Sequence, residues 1–362
     1  MKICIVSYIA PYTIPYINTY FDIVKSTGNE CDVVFWDRDG DFNEEGADGI
    51  NYLPYRAVAL QNQSRVKRYL CYFPATKHII DRLKKVDYDR VIFLQTHAAV
   101  ACKGILEKKY KGKYIVDIRD FTLENIPFYR NIEQKVIQNS YSTVISSRGY
   151  KKFLPDYDYK VVHNYTEVDA ETLTRINNRD RTGEKINISF IGYVRFYEIA
   201  KKLLMLFKDD ERFSISFVGM GAEPLRTFCV ENGIENAIIV DKFSPEQTVD
   251  FYEKCDIINN LYGNNSNFLD YALSNKLYYA AQLNIPILMS ENTYSGEIAE
   301  KYNLGFTWNP DGENATDRLY ELFTGFDKAK CQEGSRYFLR DVIKETNEFK
   351  KMIKEFLTEE VN

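Results

Sequence analysis

The sequence predicts an α/β protein made of two doubly wound parallel sheets in tandem. Three observations carry this. The chain has 362 residues, more than one hydrophobic core ordinarily organises. Short continuous apolar runs, the mark of strands buried on both faces, alternate with amphipathic helical patterns along its whole length. A polar, charged stretch at 166–185 divides that alternation into two series. The expected domains are therefore 1–165 and 186–333, joined by a linker at 166–185. A C-terminal helix within 334–362 is expected to pack back toward the first domain.

Composition narrows the class. Hydrophobic residues are 45% and charged residues 27%, as in soluble globular proteins. No apolar run approaches the ~20 residues that span a bilayer. The opening MKICIVSYIA reads as a first strand, without a small-residue cleavage site. Cys4, Cys31, Cys71, Cys102, Cys229, Cys255 and Cys331 are scattered, odd in number and free of CxxC pairs, which suits reduced thiols in a cytoplasmic protein. Three dispersed histidines offer no metal-ligand spacing, so neither metal nor cofactor is expected. Charge is uneven. Residues 1–165 carry 24 Lys/Arg against 19 Asp/Glu, and the remainder 23 against 33. A basic first half suits an anionic surface such as the inner face of a cell membrane; chance partitioning of solvated charges is the alternative.

The elements of the first domain follow in order. Residues 2–8 are a buried strand. Ala10-Pro11 breaks it, and Thr13 is placed to cap a helix with Pro15 in its first turn. Tyr8, Tyr12, Tyr16 and Tyr20 recur every four residues; core packing accounts for most, and Tyr8 and Tyr12 are also placed to stack on an acceptor sugar. Cys31–Trp36 is the second strand, followed by an acidic loop over Asp37–Ile50. Arg65–Lys85 reads as a basic helix interrupted at Pro74, with Tyr69, Tyr72 and Phe73 among Arg65, Lys67, Arg68 and Lys77. Docking on a membrane is one reading of this mixture, and a solvated helix face is the other. Val91–Gln95 is a strand, Ala98–Tyr110 a helix, and Tyr114–Arg119 a strand ending in Asp117-Ile118-Arg119-Asp120. Asn131–Asn139 is helical; 143–147 and 160–164 are strands. Carboxylates at a strand's carboxyl end suit chemistry in this architecture, which singles out Asp117 and Asp120; capping and pairing with Arg119 is the alternative. His97 is a candidate base or a structural histidine, and His163 a linker residue.

In the second domain strands are expected at 187–192, 214–219, 238–241, 256–262 and 285–290. Ser244-Pro245-Glu246-Gln247 reads as a capping box before a helix over 245–254. Residues 337–356 carry a long amphipathic helical pattern. After the first strand comes Gly192-Tyr193-Val194-Arg195. Gly192 lets the backbone approach a ligand, and Arg195 offers a planar fork to phosphate. Val218-Gly219-Met220-Gly221 is half of a dinucleotide-binding fingerprint, with Pro224 where the third glycine belongs. The stretch from Tyr262 to Ser290 is the most informative. An Asn-rich loop (Asn264-Asn265-Ser266-Asn267) leads to a helix starting near Ser274-Asn275-Lys276 and then a buried strand. A lysine beside a helix N-terminus suits a diphosphate, and amides both donate to and accept from sugar hydroxyls. A plain surface turn and a solvated helix start are the bland alternatives.

The run Asn275-Lys276-Leu277-Tyr278-Tyr279 with Asn284-Ile285-Pro286-Ile287 resembles the donor-binding segment of family 4 glycosyltransferases, whose usual form is Asn-Lys-Leu-Phe-Glu followed by Gly-x-Pro-Ile. The resemblance extends to the strand end at 117–120 and to His163-Asn164. It implies the GT-B fold, in which two Rossmann-like doubly wound parallel sheets face a cleft. It further implies metal-independent, retaining transfer of a sugar from a nucleotide-sugar donor, UDP foremost, to a glycan or lipid-linked acceptor in bacterial surface polysaccharide assembly. Donor residues would be Gly192, Arg195, Gly219, Gly221, Asn267, Asn275, Lys276 and Tyr279. Tyr8 and Tyr12 would meet the acceptor, and Asp117, Asp120 and His97 the chemistry. The sequence departs from the family at its paired glutamates, where Tyr271 and Tyr279 stand. A tyrosine can hydrogen-bond a ribose but cannot act as a carboxylate. Two rivals share the fold: a nucleotide-sugar epimerase, for which the chain is poor in histidine, and a non-catalytic glycan- or partner-binding protein. No nucleic acid partner is indicated.

Overall fold

A computed structural model describes residues 1–46, 48–58, 70–177, 185–244 and 247–359. The chain forms two compact units, Met1–Asn164 with Lys344–Asn362, and Tyr165–Ile343.

The first unit holds a seven-stranded parallel sheet of β1 (Lys2–Ser7), β2 (Glu30–Asp37), β3 (Ile50–Arg56), β4 (Arg90–Phe93), β5 (Tyr114–Ile118), β6 (Ser142–Ile145) and β7 (Lys160–Val161), in the order 3-2-1-4-5-6-7. The second unit holds a six-stranded parallel sheet of β8 (Ile186–Ile191), β9 (Phe213–Val218), β10 (Ala237–Val240), β11 (Ile257–Asn260), β12 (Ile287–Ser290) and β13 (Gly305–Trp308), in the order 10-9-8-11-12-13. The predicted doubly wound sheets are thus present. In each, the strand order reverses beside the first strand, between β1 and β4 and between β8 and β11. Ligands in open α/β sheets bind at such reversals, beyond the carboxyl ends of the strands.

Strands β1, β4 and β5 are apolar on both faces because helices cover both; Ile3, Ile5, Ile92 and Ile115 are fully buried. The strands that sequence reasoning missed, β3 and β13, are both sheet edges. An edge strand buries less, so it shows a weaker apolar signal, and β3 tolerates Pro54 for the same reason.

Several helix boundaries differ from expectation. Thr13 caps nothing: Pro11–Thr13 is one turn of 3₁₀ helix, and the following helix, Ile17–Ser26, starts after Pro15. Pro74 does not interrupt a helix but sits in the first turn of Tyr72–Lys85, where its missing N–H costs nothing. Arg65, Lys67, Arg68 and Tyr69 lie outside the described residues. Residues 98–110 form two helices, Thr96–Ala101 and Lys103–Lys109. The stretch expected as linker carries a helix, Ala170–Asn177. Of the capping box, the Ser244 N–H donates to Gln247 Oε1 at 3.0 Å; Pro245 and Glu246 lie outside the described residues.

The C-terminal helix runs from Lys328 to Thr358. Its earlier part serves the second unit, where Phe338 stacks on Tyr278 with ring centroids 5.8 Å apart. Its later part serves the first, where Phe349, Ile353 and Phe356 are buried in the core with Tyr20. Its last turn is tied down by side chains: Arg90 Nε donates to the Phe356 carbonyl at 2.8 Å and Asn29 Nδ2 to that of Leu357 at 2.9 Å. These satisfy carbonyls that a helix end leaves unpaired. His163, expected in a linker, meets Glu345 of this helix at 2.7 Å inside the first unit.

One buried acid in the first unit opposes folding. Glu133, on helix Pro127–Gln138, is fully buried and shares a side-chain hydrogen bond with Glu124. Burial, and then the nearby Glu124, push its carboxyl up to about 9. It is protonated in the fold and ionised in the unfolded chain, so it withdraws stability as pH rises from about 4.5 to about 9. Glu133→Gln should therefore stabilise the protein by about 1–2 kcal/mol at pH 8 and by little at pH 5, as read by urea unfolding at both pH values.

Candidate functional site

The predicted donor residues of the second unit converge beyond β8, β9 and β11. Chain pairing continues past the strand ends: Gly192 N–H donates to the Val218 carbonyl at 2.8 Å, and Val194 N–H to that of Met220 at 2.9 Å. The two loops therefore run side by side, and glycine makes that possible. A Cβ on Gly219 would lie 2.0 Å from the Gly192 carbonyl oxygen, and one on Gly221 2.4 Å from that of Val194. Both have positive φ, at 139° and 89°. Gly192 (φ 135°) is different: its missing side chain faces Lys276 Nζ, 3.8 Å from where a Cβ would be. Asp241 Oδ1 accepts from the N–H groups of Gly221 and Glu223 and so fixes the second loop.

Lys276 is the first residue of helix Lys276–Leu283, with Asn275 at the N-cap. The cap hydrogen bond comes from Ser274, whose Oγ accepts from Lys276 N–H at 3.2 Å. Ser274 is itself held by Asn260 Oδ1 at the end of β11. Asn284, in the left-handed conformation, ends the helix, and β12 then begins at Ile287, two residues later than expected. The Lys276 side chain is buried at 7% exposure. Its Nζ donates to the Tyr262 hydroxyl at 2.5 Å and lies 4.0 Å from the centre of the Phe190 ring. Among the described residues no carboxylate pairs with it. Cation–π contact contributes about 0.5–2 kcal/mol, less than the several kcal/mol of removing an ammonium from water.

The remaining donor candidates surround this point unevenly. Arg195 is exposed, has no ion-pair partner among the described residues, and lies over the rings of Phe196 and Phe268 at 5.3 and 5.6 Å. Phe268 belongs to Asn267–Asp270, one helical turn inside what reads as plain loop; Asn267 is exposed on it. Asn264 is occupied, donating to the Glu291 carbonyl. Tyr279 stacks on Tyr252 with centroids 5.0 Å apart, so its ring is a packing element. Sequence reasoning passed over Tyr262, because an isolated loop tyrosine gives no pattern, and Asp270, whose Oδ1 is shielded and has no hydrogen-bond partner among the described residues.

The first-unit candidates separate into different environments. Asp117 is buried: Arg119 Nε and Nη2 donate to its two oxygens at 2.6 and 2.8 Å, and the Tyr20 hydroxyl donates to Oδ2 at 2.8 Å. It pins β5 to helix Ile17–Ser26 and has no oxygen to spare for a substrate proton. The Arg119 guanidinium in turn lies 3.7 Å over the Tyr16 ring. Asp120, three residues on, is exposed. Tyr12 is exposed and donates to Asp41 at 3.1 Å. Tyr8 and His97, from the ends of β1 and β4, do come together, with ring centroids 5.1 Å apart on the wall of a cavity of about 500 Å³. Burial, and secondarily Arg38, hold the His97 imidazole down to about 4, so the ring is neutral at pH 7 and a weak base.

Among the described residues no cluster of three or more His, Cys, Asp or Glu is arranged to hold a metal, and no helix is long and apolar enough to cross a membrane. The two sheets and their order match solved structures of GT-B glycosyltransferases. Solved structures of such enzymes match nearly the whole chain. Sucrose-phosphate synthase from Thermosynechococcus elongatus matches with a TM-score of 0.72 at 10% identity, over 99% of each chain. Alr3699/HepE from Anabaena, in complex with UDP, matches with a TM-score of 0.66 at 10% identity, over 98% of this chain and 100% of the other. The lipopolysaccharide outer core galactosyltransferase WaaB, in its apo form, matches with a TM-score of 0.65 at 15% identity, over 99% of each chain. No protein-family model matches the sequence, and no curated protein does.

Gly219→Ala should destabilise the second unit by about 2 kcal/mol or more, through collision and a strained φ. Gly263→Ala, with φ 91° but nothing within 4 Å of its Cβ, should cost about 1 kcal/mol. Denaturant unfolding of the two variants side by side measures the difference.

Proposed function

We propose that this protein is a glycosyltransferase that moves a sugar from a nucleotide diphosphate to a hydroxyl of a glycan acceptor. The observation that carries this reading is the buried Lys276 ammonium, without a carboxylate partner among the described residues, at the carboxyl-end reversal of a doubly wound sheet. In transfer, the acceptor oxygen forms a bond to the anomeric carbon. The bond from that carbon to the diphosphate oxygen breaks, and the acceptor hydroxyl gives up its proton. Charge builds on the departing diphosphate, and a fixed cation in a site shielded from water is most effective against charge that develops there. Lys276 is that cation in this reading, with Arg195 reaching phosphate from the neighbouring loop. Gly192 leaves room for a ligand beside Lys276, and Gly219 and Gly221 let the two loops that shape the site lie side by side. Protein cations then do the work a metal does elsewhere.

UDP is the nucleotide proposed, supported by its presence in the Anabaena structure. Asp120, as an exposed carboxylate at the end of β5, is the proposed proton acceptor; Asp117 and the neutral His97 suit that role poorly. The acceptor is proposed to be a glycan, lipid-linked, in surface polysaccharide assembly, meeting the first unit near Tyr8 and Tyr12. The work would be done in the cytoplasm against the inner membrane face. Retention of anomeric configuration belongs to the same proposal and requires the acceptor to attack the face of the sugar that the diphosphate leaves.

One observation favours a second reading. Tyr279 is packed against Tyr252 where related donor sites hold a carboxylate, which fits a protein that binds a nucleotide sugar or glycan without turning it over. A thermal-shift panel of UDP, GDP, dTDP, ADP and CMP tests the first step. A ligand at 100 times its dissociation constant adds about 2.7 kcal/mol, so UDP should raise the melting temperature by a few degrees, and Lys276→Ala should abolish the rise. No shift with any nucleotide would contradict both the donor site and the transferase. A UDP shift with no product from UDP-sugars and a panel of glycan acceptors would favour the second reading.

A further inference from the structure

We propose that the aromatic cavity of the first unit binds an uncharged hydrocarbon group, alkyl or aryl, carried on a sugar-containing molecule. Identifying that molecule as the acceptor rests on the transferase reading; the binding itself does not.

The cavity, about 500 Å³, is within the range of small-molecule sites. It lies at the reversal between β1 and β4, where a ligand is expected. Its walls are the rings of Tyr8, Tyr72, Phe73 and Tyr129 with the aliphatic Val100 and Leu123. Phe73 stands 72% exposed at its edge, an aromatic face left in water at an entrance. Among the described residues no Asp, Glu, Lys, Arg, Asn or Gln lines it.

The wall hydroxyls are already engaged. Tyr8 pairs with Thr76 at 2.5 Å, Tyr129 with Thr122 at 3.0 Å, and the Tyr72 oxygen accepts from Arg38 at 2.9 Å. Among the described residues His97 Nδ1 is buried without a hydrogen-bond partner. Its ring is neutral at pH 7, so it brings no charge to the wall. A sugar ring would surrender several water hydrogen bonds here for few in return. A phosphate or carboxylate would be stripped of water with no counter-charge. A hydrocarbon chain or ring loses nothing and gains burial. The cavity therefore selects the apolar appendage of an amphiphile and leaves its sugar outside.

Calorimetric titration of the full chain with glucose and with hexyl, heptyl and octyl glucoside, all below micelle formation, tests this. 4-Nitrophenyl glucoside forms a further arm. Affinity should rise about threefold to fourfold per added methylene, and glucose alone should not bind. Ala101 lies on the cavity wall and is exposed, so Ala101→Trp should fill the space and weaken octyl glucoside at least tenfold. Phe73→Ser, at the rim, should weaken it several-fold. The UDP shift should be unchanged in both variants. Alkyl binding without aryl binding would name a lipid chain as the source, and the reverse an aromatic aglycone. Glucose binding as tightly as octyl glucoside, or an octyl affinity that neither variant changes, would overturn the proposal. The UDP shift, read on the same samples, tells failure here from failure of the transferase reading.

Discussion

The second unit buries an ammonium that meets no carboxylate among the described residues. Lys276 Nζ is enclosed by the Tyr262 hydroxyl and the Phe190 ring, beside a glycine that leaves room for a ligand. Everything near it serves to hold that ammonium. Ser274 caps its helix and is held by Asn260 at the end of β11; Asn284 turns the chain into β12. Gly219 and Gly221 let the loops after β8 and β9 lie against each other. A protein gains nothing in stability from an unpaired buried cation, and this is the ground on which an anionic ligand is proposed there.

The first unit handles charge in the opposite way. Its conspicuous carboxylate, Asp117, is consumed by Arg119 and Tyr20, and its histidine at the sheet reversal is kept neutral by burial. What remains at that reversal is an uncharged space walled largely by aromatic rings. The two sheets share one winding rule, yet their reversal points offer different chemistry, a cation in one and aromatic rings in the other. The fold supplies the place, and loop side chains decide what binds there.

The sequence made the doubly wound sheets legible because inner strands must be apolar on both faces, and such runs stand out. It hid β3 and β13 because edge strands are half exposed, and it hid helix Ala170–Asn177 because polar composition resembles linker. In the proposed donor region, the glycine turns at Gly192 and Gly219 and the helix start at Lys276 were legible from turn chemistry and helix-start signals. Tyr262 could not, since its value lies in a contact with Lys276 fourteen residues away. Asp117 misled for a related reason: a carboxylate at a strand end looks the same in sequence whether it faces a ligand or a buried arginine. His97 shows the same limit, since burial rather than residue type sets its protonation.

The claim that Lys276 waits for a diphosphate is tested most directly by calorimetric titration of UDP against uridine on the wild-type chain at low and moderate salt. The account predicts that UDP binds with an affinity that falls as salt rises, and that uridine, lacking the phosphates, binds at least a hundredfold more weakly. Uridine binding as tightly as UDP, with no salt dependence, would show that the buried ammonium has another purpose and would contradict the account.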